Sequence, residues 1–497
     1  MRVEKSLRAF LPFAFCLPPF IILATLNSAG YRYGASDQAF YVPSVIQHLR
    51  PVAFPRDAPL LDAQAHLTTM DECVAALARV TRLPLPSLLF ALYLASLALL
   101  LFAALRLGAV LYRSPWTPVA LAVALTLRHA VAKTGANTLE GYFHPRITAF
   151  AFGLLAVAMF LERRDRLVPL LLLGAALMHP TTTLWFGIWL AGAAWMAQPA
   201  WRRPMLYGAA AVAAFAIWVV WAGPLAGRLT RMDPEWFAVI ESKDYLFPLD
   251  WPANVWLTNL IAIPAIVVFW RRRAAHGLTV ARESAMVLGA LLLVVVFACW
   301  LPFDAAHVAL AIQLQTSRLF WMLDVLGTVY LVWALAEGTV PSRVRTAVVL
   351  ALLLVASTGR GLYNRFVQFP NRPMFSVELE DGDWKTAMTW ARQATPPSSG
   401  WLADPFHAAW YGSSVRVAAE RDVLQEEIKD AAIAMYDRSV AMRVADRQRA
   451  LAALKWDTPE GARALARRYD LDYLVVNHPV ALPEAFHAGT LFIYRLR

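Results

Sequence analysis

The chain has 497 residues, of which 59% are hydrophobic and only 16% charged, with a mean hydropathy of +0.48. That balance excludes an ordinary soluble globule. The formal charge of +11 comes from Lys and Arg residues that punctuate apolar runs without forming a basic domain, so membrane topology accounts for it and nucleic acid is excluded as a partner.

At the N-terminus, Arg2, Lys5 and Arg8 precede an apolar run that mimics a signal peptide, but no small-x-small cleavage site follows. An uncleaved first helix is expected. Hydropathy gives about eleven membrane helices. They begin near Ala9, Pro86, Trp116, Ile147, Leu167, Thr183, Met205, Val255, Ser284, Leu319 and Thr346. Arg106 and Arg113, then Arg163, Arg164 and Arg166, then Arg202 and Arg203, then Arg271 to Arg273, then Arg343 and Arg345 fall in alternate connections. They share a side with the N-terminus, so that side is cytoplasmic. In a bacterium this describes an inner-membrane protein whose other face is periplasmic. The periplasmic side then receives the loop 28–85, the segment 133–146, the His179-Pro180 turn, the loop 223–254, the stretch 304–318 and the tail.

The first external loop carries Asp37, the first acidic residue after Glu4, within Gly34-Ala35-Ser36-Asp37-Gln38-Ala39-Phe40-Tyr41. A carboxylate there lies just outside the hydrocarbon, within reach of a lipid headgroup and of water. Phe40, Tyr41, Val45, Ile46 and Leu49 recur near helical spacing, which predicts an interfacial helix with Gln38, Gln47 and His48 toward water. A second amphipathic stretch follows over Asp71–Arg79. These helices either cap the membrane domain or shape an entrance for a lipid-borne substrate.

Charge beside a bilayer is costly, by about 2.5–3.5 kcal/mol on insertion scales, so each polar cluster requires a partner or a task. In the segment from Lys133 to Arg146, Glu140 and His144 stand four apart, and a helical turn would put them on one face. With Asp37 they offer oxygen and nitrogen donors for a divalent ion. The alternative is a hydrogen-bonded loop that only caps helix ends. Between the ninth and tenth spans, helical geometry places Asp304, His307, Gln315 and Arg318 on one stripe. Such a stripe, ending in Arg, suits bidentate phosphate binding, against the plainer reading of a solvated helix edge. His179, before Pro180, reads as a helix cap, and Asp324, in the tenth span, as a polar contact to a neighbouring helix. Cys16, Cys73 and Cys299 form no disulfide framework.

Near Arg360 the composition becomes that of a soluble domain. Helical spacing over Trp384–Gln393, Leu424–Leu454 and Glu460–Tyr469 is combined with short apolar strands at Tyr473–Asn477 and Leu491–Tyr494. The expected fold is therefore mainly α: a polytopic membrane protein of residues 1–359 with the large loop 28–85, followed by a small α/β periplasmic domain over 360–497. His407 is read as part of that folded domain. No nucleotide-binding, Walker, GxSxG, HExxH or CxxC motif is present.

A first helix leading to an acidic residue, a large external loop with interfacial helices, many further spans and a terminal external domain resemble a type C (GT-C) glycosyltransferase. Asp37-Gln38 is similar to the acid near the start of the first external loop in that superfamily. The tail, through Trp390-Ala391-Arg392-Gln393-Ala394-Thr395-Pro396-Pro397 and Tyr469-Asp470-Leu471-Asp472-Tyr473-Leu474-Val475, is similar to periplasmic ends of uncharacterised bacterial members. The resemblance implies transfer of a sugar from a polyprenyl-phosphate donor to a periplasmic acceptor, with a general base and cationic groups at the leaving phosphate. It carries the base to Asp37. Arg318 and Arg146 at the lipid phosphate, with His307 beside them on the stripe, and Glu140 and His144 at the acceptor or a metal are placed by the reading of the loops. Asp37 stands alone, with no Asp-x-Asp pair, so no metal is assigned. Two other classes compete: a transporter or flippase of lipid-linked material, with its polar site near the midplane and inverted repeats, and a non-catalytic envelope assembly protein.

Overall fold

The computed structural model describes residues 16–497. The expected start of the first helix near Ala9, with Arg2, Lys5 and Arg8, lies outside these residues. The chain is mainly helical with a small C-terminal sheet, and it divides into two compact units. The first comprises residues 16–30, Leu92–Thr230 and Asp244–Met374; the second comprises Tyr31–Ala91, Arg231–Lys243 and Phe375–Arg497. Most of the first external loop thus clusters with the tail.

Among the described residues, six helices are long and apolar enough to cross a membrane: Leu85–Leu111, Pro199–Trp221, Ala253–Ala275, Glu283–Ala305, Ala309–Ala336 and Arg343–Gln368. Six is fewer than the eleven expected. The remaining expected spans coincide with helices that are shorter: Leu17–Asn27, Thr117–Thr126, Pro145–Leu161 and Leu167–Met178, each of 10–17 residues, and Pro180–Ala197, of 18. Full crossing takes about 20 residues. The shortfall has local causes. Leu127 turns extended after Thr126, and extended His144 and His179 each precede a proline that opens the next helix.

Polar side chains and small residues join the helices of the first unit. Asn27 donates through Nδ2 to the Ser357 carbonyl (3.1 Å) and hydroxyl (2.9 Å), and that hydroxyl lies 2.7 Å from Thr126 Oγ1. Such bonds join helices where no hydrophobic force distinguishes protein from lipid. The helices Pro180–Ala197 and Glu283–Ala305 approach so closely that a Cβ on Gly289 would lie 2.5 Å from the Trp189 carbonyl oxygen. Trp189 also donates its indole N–H to the Met286 carbonyl at 2.8 Å. Gly289→Ala is therefore expected to destabilise the unit by about 1–3 kcal/mol. Gly187, on the first of these helices, has nothing within 4 Å of its would-be Cβ, so Gly187→Ala is expected to be neutral or stabilising by up to about 1 kcal/mol. Thermal unfolding of the two variants in detergent checks the pair.

In the second unit the sheet has five strands: β1 (Gly400–Leu402), β2 (Asp422–Val423), β3 (Tyr473–Val476), β4 (Glu484–Ala488) and β5 (Leu491–Arg495). Their order is β2-β1-β3-β5-β4. The first three are parallel, β5 runs antiparallel to β3, and β4 pairs antiparallel with β5. Alternation along the strands builds two cores. Trp401, Val475 and Ile493 join Trp384, Met388 and Ala391 on one face, while Leu402, Leu474 and Tyr494 join Leu424, Leu465 and Ala466 on the other. The expected helices over Trp384–Gln393 and Glu460–Tyr469 form, as Asp383–Ala394 and Pro459–Tyr469. The long helix expected over Leu424–Leu454 is two helices, Glu427–Ile433 and Arg438–Ala453, because Asp437 turns extended and caps the second. Strands β1, β2 and β4 were not expected: β1 and β2 have only three and two residues, too short for an alternating pattern.

The first external loop folds into the helices Gln38–Leu49, Ala58–Ala65 and Met70–Thr81. Gln38 faces inward rather than toward water, with its Oε1 accepting from the Gly34 N–H at 2.7 Å.

Candidate functional site

Of the expected site residues, Asp37 belongs to the second unit and Glu140, His144, Arg146, His307 and Arg318 to the first. In the first unit the segment after the helix Thr117–Thr126 forms a small hairpin, Ala130–Val131 pairing antiparallel with Ala136–Asn137. Its turn places Gly135 at φ +65°, and a Cβ there would meet the Tyr245 ring at 3.6 Å and the Arg318 guanidinium at 3.8 Å. The hairpin thus lies against Arg318.

Residues 138–144 are not helical, so the expected one-turn pairing of Glu140 with His144 does not form. Arg146 joins them instead. Glu140 Oε1 accepts from Asn137 Nδ2 (2.8 Å) and from the Arg146 guanidinium (3.4 Å). His144 Nδ1 accepts the Arg146 backbone N–H at 3.2 Å, capping the helix Pro145–Leu161. Arg146 is buried, lies 6.0 Å from the centre of the Trp321 ring, and has an Nε with no hydrogen-bond partner among the described residues. A buried guanidinium with a donor to spare can take an anion.

The helical stripe expected over 304–318 is broken twice. His307 (φ 51°) and Gln315 (φ 48°) adopt left-handed conformations on either side of the short helix Ala309–Leu314. Arg318 closes a single 3₁₀ turn at the start of the helix Leu319–Ala336. His307 sits 6.2 Å from the Phe247 ring rather than in line with Arg318. Asp324 meets His129 at 3.2 Å, in the segment after the helix Thr117–Thr126 rather than on a neighbouring helix, and His179 caps the helix Pro180–Ala197 by accepting from the Thr182 N–H.

In the second unit Asp37 occupies the N-cap position of the helix Gln38–Leu49. Lys429, on the helix Glu427–Ile433, donates to its carboxylate at 2.5 Å and to Ser36 Oγ at 3.2 Å. This partner is 392 residues away, so no local pattern in the sequence could indicate it. Among the described residues, the His48, Asp71 and Glu72 side chains form the set of metal-ligand types whose donor atoms all lie within 4.8 Å of one another. His48 and Asp71 are hydrogen-bonded at 2.9 Å and join two helices of the first loop.

Sequence reading also missed an ionic knot. Asp57 is fully buried and accepts from Arg416 Nε (2.7 Å), from Arg443 and from the Val423 N–H (3.1 Å). Arg416 in turn grips Asp430 bidentately at 2.6 and 3.0 Å, and Asp422 accepts the backbone N–H groups of Arg56 and Asp57. Burial would raise the Asp57 carboxyl, but Arg416, Arg443 and Arg447 outweigh it and hold it down at about 2.

His407 is buried, with Nδ1 2.7 Å from the Asp404 carbonyl and Nε2 accepting from the Val415 N–H at 3.2 Å. That pattern fits the neutral ring with its proton on Nδ1, and burial pushes its pKa down to about 4. A depressed histidine stabilises the fold fully above its ordinary value near 6.5, and this contribution is lost as pH falls toward 4. The full effect is about 3 kcal/mol. His407→Gln is expected to remove this component of acid sensitivity, read as the difference between wild-type and variant unfolding from pH 7 to pH 4.

Neither a protein-family model nor a curated protein matches the chain. Among solved structures it is similar to the Archaeoglobus fulgidus oligosaccharyltransferase in its apo form, at 12% identity over 93% of this chain and 69% of that one, with a TM-score of 0.44. It is also similar to the same enzyme tethered through a disulfide bond to an acceptor peptide containing the NVT sequon, at 13% identity over the same shares, with a TM-score of 0.37.

Proposed function

We propose that the chain is a membrane glycosyltransferase of the GT-C kind that moves a sugar from a polyprenyl-phosphate donor to an acceptor on the outer face of the bacterial inner membrane. The finer assignment of about eleven spans, with a cytoplasmic N-terminus and a periplasmic tail, belongs to this reading and rests on the alternation of arginine-bearing connections. The observation that carries it is the guanidinium arrangement in the first unit. Arg146 is buried with an unpartnered Nε, and Arg318 lies against the hairpin that leads into Glu140 and His144. Guanidinium groups at the N-terminal ends of the apolar helices Pro145–Leu161 and Leu319–Ala336 suit the phosphate of a lipid carrier.

In this reading Asp37, oriented by Lys429, takes the proton from an acceptor hydroxyl as that oxygen attacks the anomeric carbon. The bond from that carbon to the phosphate oxygen breaks and the phosphate leaves on its lipid, a phosphate-binding role being proposed separately for Arg318 and Arg146 of the first unit. Glu140 holds Arg146, and His144 fixes the helix that carries it. No metal ion is assigned a role, and no step is routed through one.

Arg318→Ala tests the assignment. Loss of a charge-assisted hydrogen bond costs about 1.5–3 kcal/mol, so use of a lipid-linked donor by membranes bearing the variant should fall about 10- to 100-fold, with Arg318→Lys intermediate. Lipid-linked sugars should accumulate and surface glycans diminish. Unchanged glycans and lipid-linked sugars in a stably produced Arg318→Ala protein would favour the envelope assembly role.

A further inference from the structure

The sheet of the second unit has a topological switch point. From β1 the chain passes to β2 on one side, whereas from β3 it passes to β4 and β5 on the other. In open α/β sheets the crevice outside the carboxyl ends of two such parallel strands is where ligands bind. Here that crevice is a cavity of about 440 Å³, within the range of about 300–1,000 Å³ that accommodates a small ligand. Ala403 and Asp404 follow β1 directly into it, and Asn477 follows β3.

The lining indicates the chemistry of the occupant. Trp384, Trp410, Tyr411 and Trp456 supply aromatic surface, Asp404 and Asn477 supply polar groups, and no lysine or arginine takes part. The lack of a cation argues against phosphate or another anion. Trp384 stacks on Tyr411 with ring centres 4.5 Å apart and planes within 9°, and its indole N–H is held by Ser413 at 3.1 Å. Each of those rings has therefore given one face to the other, which leaves a rigid wall rather than a cage closing round a quaternary ammonium. Trp410 is 70% exposed, and Phe406, four residues earlier and on the same side of its helical turn, is exposed as well. A flat aromatic platform beside a carboxylate and an amide matches a sugar ring, which offers C–H bonds on one face and hydroxyls at its edge.

We propose that this cavity binds a neutral saccharide unit, with Trp410 as the stacking platform and Asp404 and Asn477 at the hydroxyls. The site is separate from the transfer chemistry assigned to Asp37, and its occupancy does not depend on that chemistry. His407 contributes wall only, because both its ring nitrogens are engaged.

The full-length chain in detergent, titrated with maltotriose, mannotriose and chitobiose and followed by saturation-transfer NMR and tryptophan fluorescence, tests this. At least one saccharide is expected to bind. Trp410→Ala should weaken it about tenfold or more, and Trp410→Phe should restore most of the affinity. Because Trp410 is largely exposed, its replacement leaves the core intact, which unchanged thermal unfolding would verify. Asp37→Asn should bind as the wild type does. Loss of binding in that variant would locate the signal at the transfer site and overturn the proposal. So would binding of choline in place of every saccharide, wild-type affinity in Trp410→Ala, or the absence of saccharide binding at tens of millimolar.

Discussion

Asparagine in place of Asp37 is expected to slow sugar transfer by about 10²- to 10⁴-fold, the usual contribution of a positioned general base. The carboxylate is partly exposed, and its ion pair with Lys429 lies near the surface. Pairs of that kind contribute about 0–1 kcal/mol to stability, so the fold should survive the substitution almost unchanged. The separation between a large kinetic effect and a small thermal one is the informative result. Lys429→Gln should keep the base and lose only its orientation, with a smaller deficit than Asp37→Asn. The measurement is consumption of a radiolabelled polyprenyl-phosphate sugar by membranes of each variant at matched protein level. Wild-type turnover in Asp37→Asn would remove Asp37 from the mechanism.

Asp57→Ala should have the largest structural effect. It takes the buried carboxylate from Arg443 and leaves Arg416 with Asp430 alone, and breaking such a buried pair costs about 3–5 kcal/mol. That is comparable to the whole stability of a small domain. The second unit is expected to lose its fold near ambient temperature, seen as early tryptophan emission changes and protease cleavage within residues 375–497. The knot also sets the acid response. A depressed carboxylate contributes stability above its ordinary value near 4, and this is lost as pH falls toward 2. Glu426 has the opposite sign: burial, reinforced by Asp430, raises its carboxyl to about 8. Its stabilising protonated form is complete below about pH 4.5 and is lost as pH rises through 8. Glu426→Gln should flatten the alkaline limb of the stability profile and leave the limb below pH 4 in place.

The helical character of the chain, the position of nearly every apolar helix and the helix-strand alternation of the tail were legible in the sequence, because each is written in local periodicity. The number of helices long enough to cross was not. Hydropathy marks an apolar run but not where its backbone leaves the helix, as at extended Leu127 and at extended His144 and His179, which precede the next helices. At the candidate site the sequence identified polar residues but not their geometry. Glu140 and His144 share a helical spacing yet sit in irregular chain, and the stripe to Arg318 fails at two left-handed residues. Lys429 and the arginines around Asp57 were beyond reach for a different reason. Their significance comes from partners more than 350 residues away, and a charged residue on a helix looks solvated until its partner is known.

The span between Asp57 and Arg416 has a consequence for biogenesis. At translation rates of about 5–20 residues per second, the 359 residues between them take on the order of 20–70 s to appear. During that interval the helices of the first loop are already made, while the guanidinium that neutralises their buried acid is not. Until then Asp57 lacks the Arg416 guanidinium, so the buried setting it has in the finished fold is costly to form. Closing so large a loop is intrinsically slow. The Asp57 knot therefore cannot close until Arg416 has been made. A chain that stops before Arg416 leaves the first loop without its closing partner.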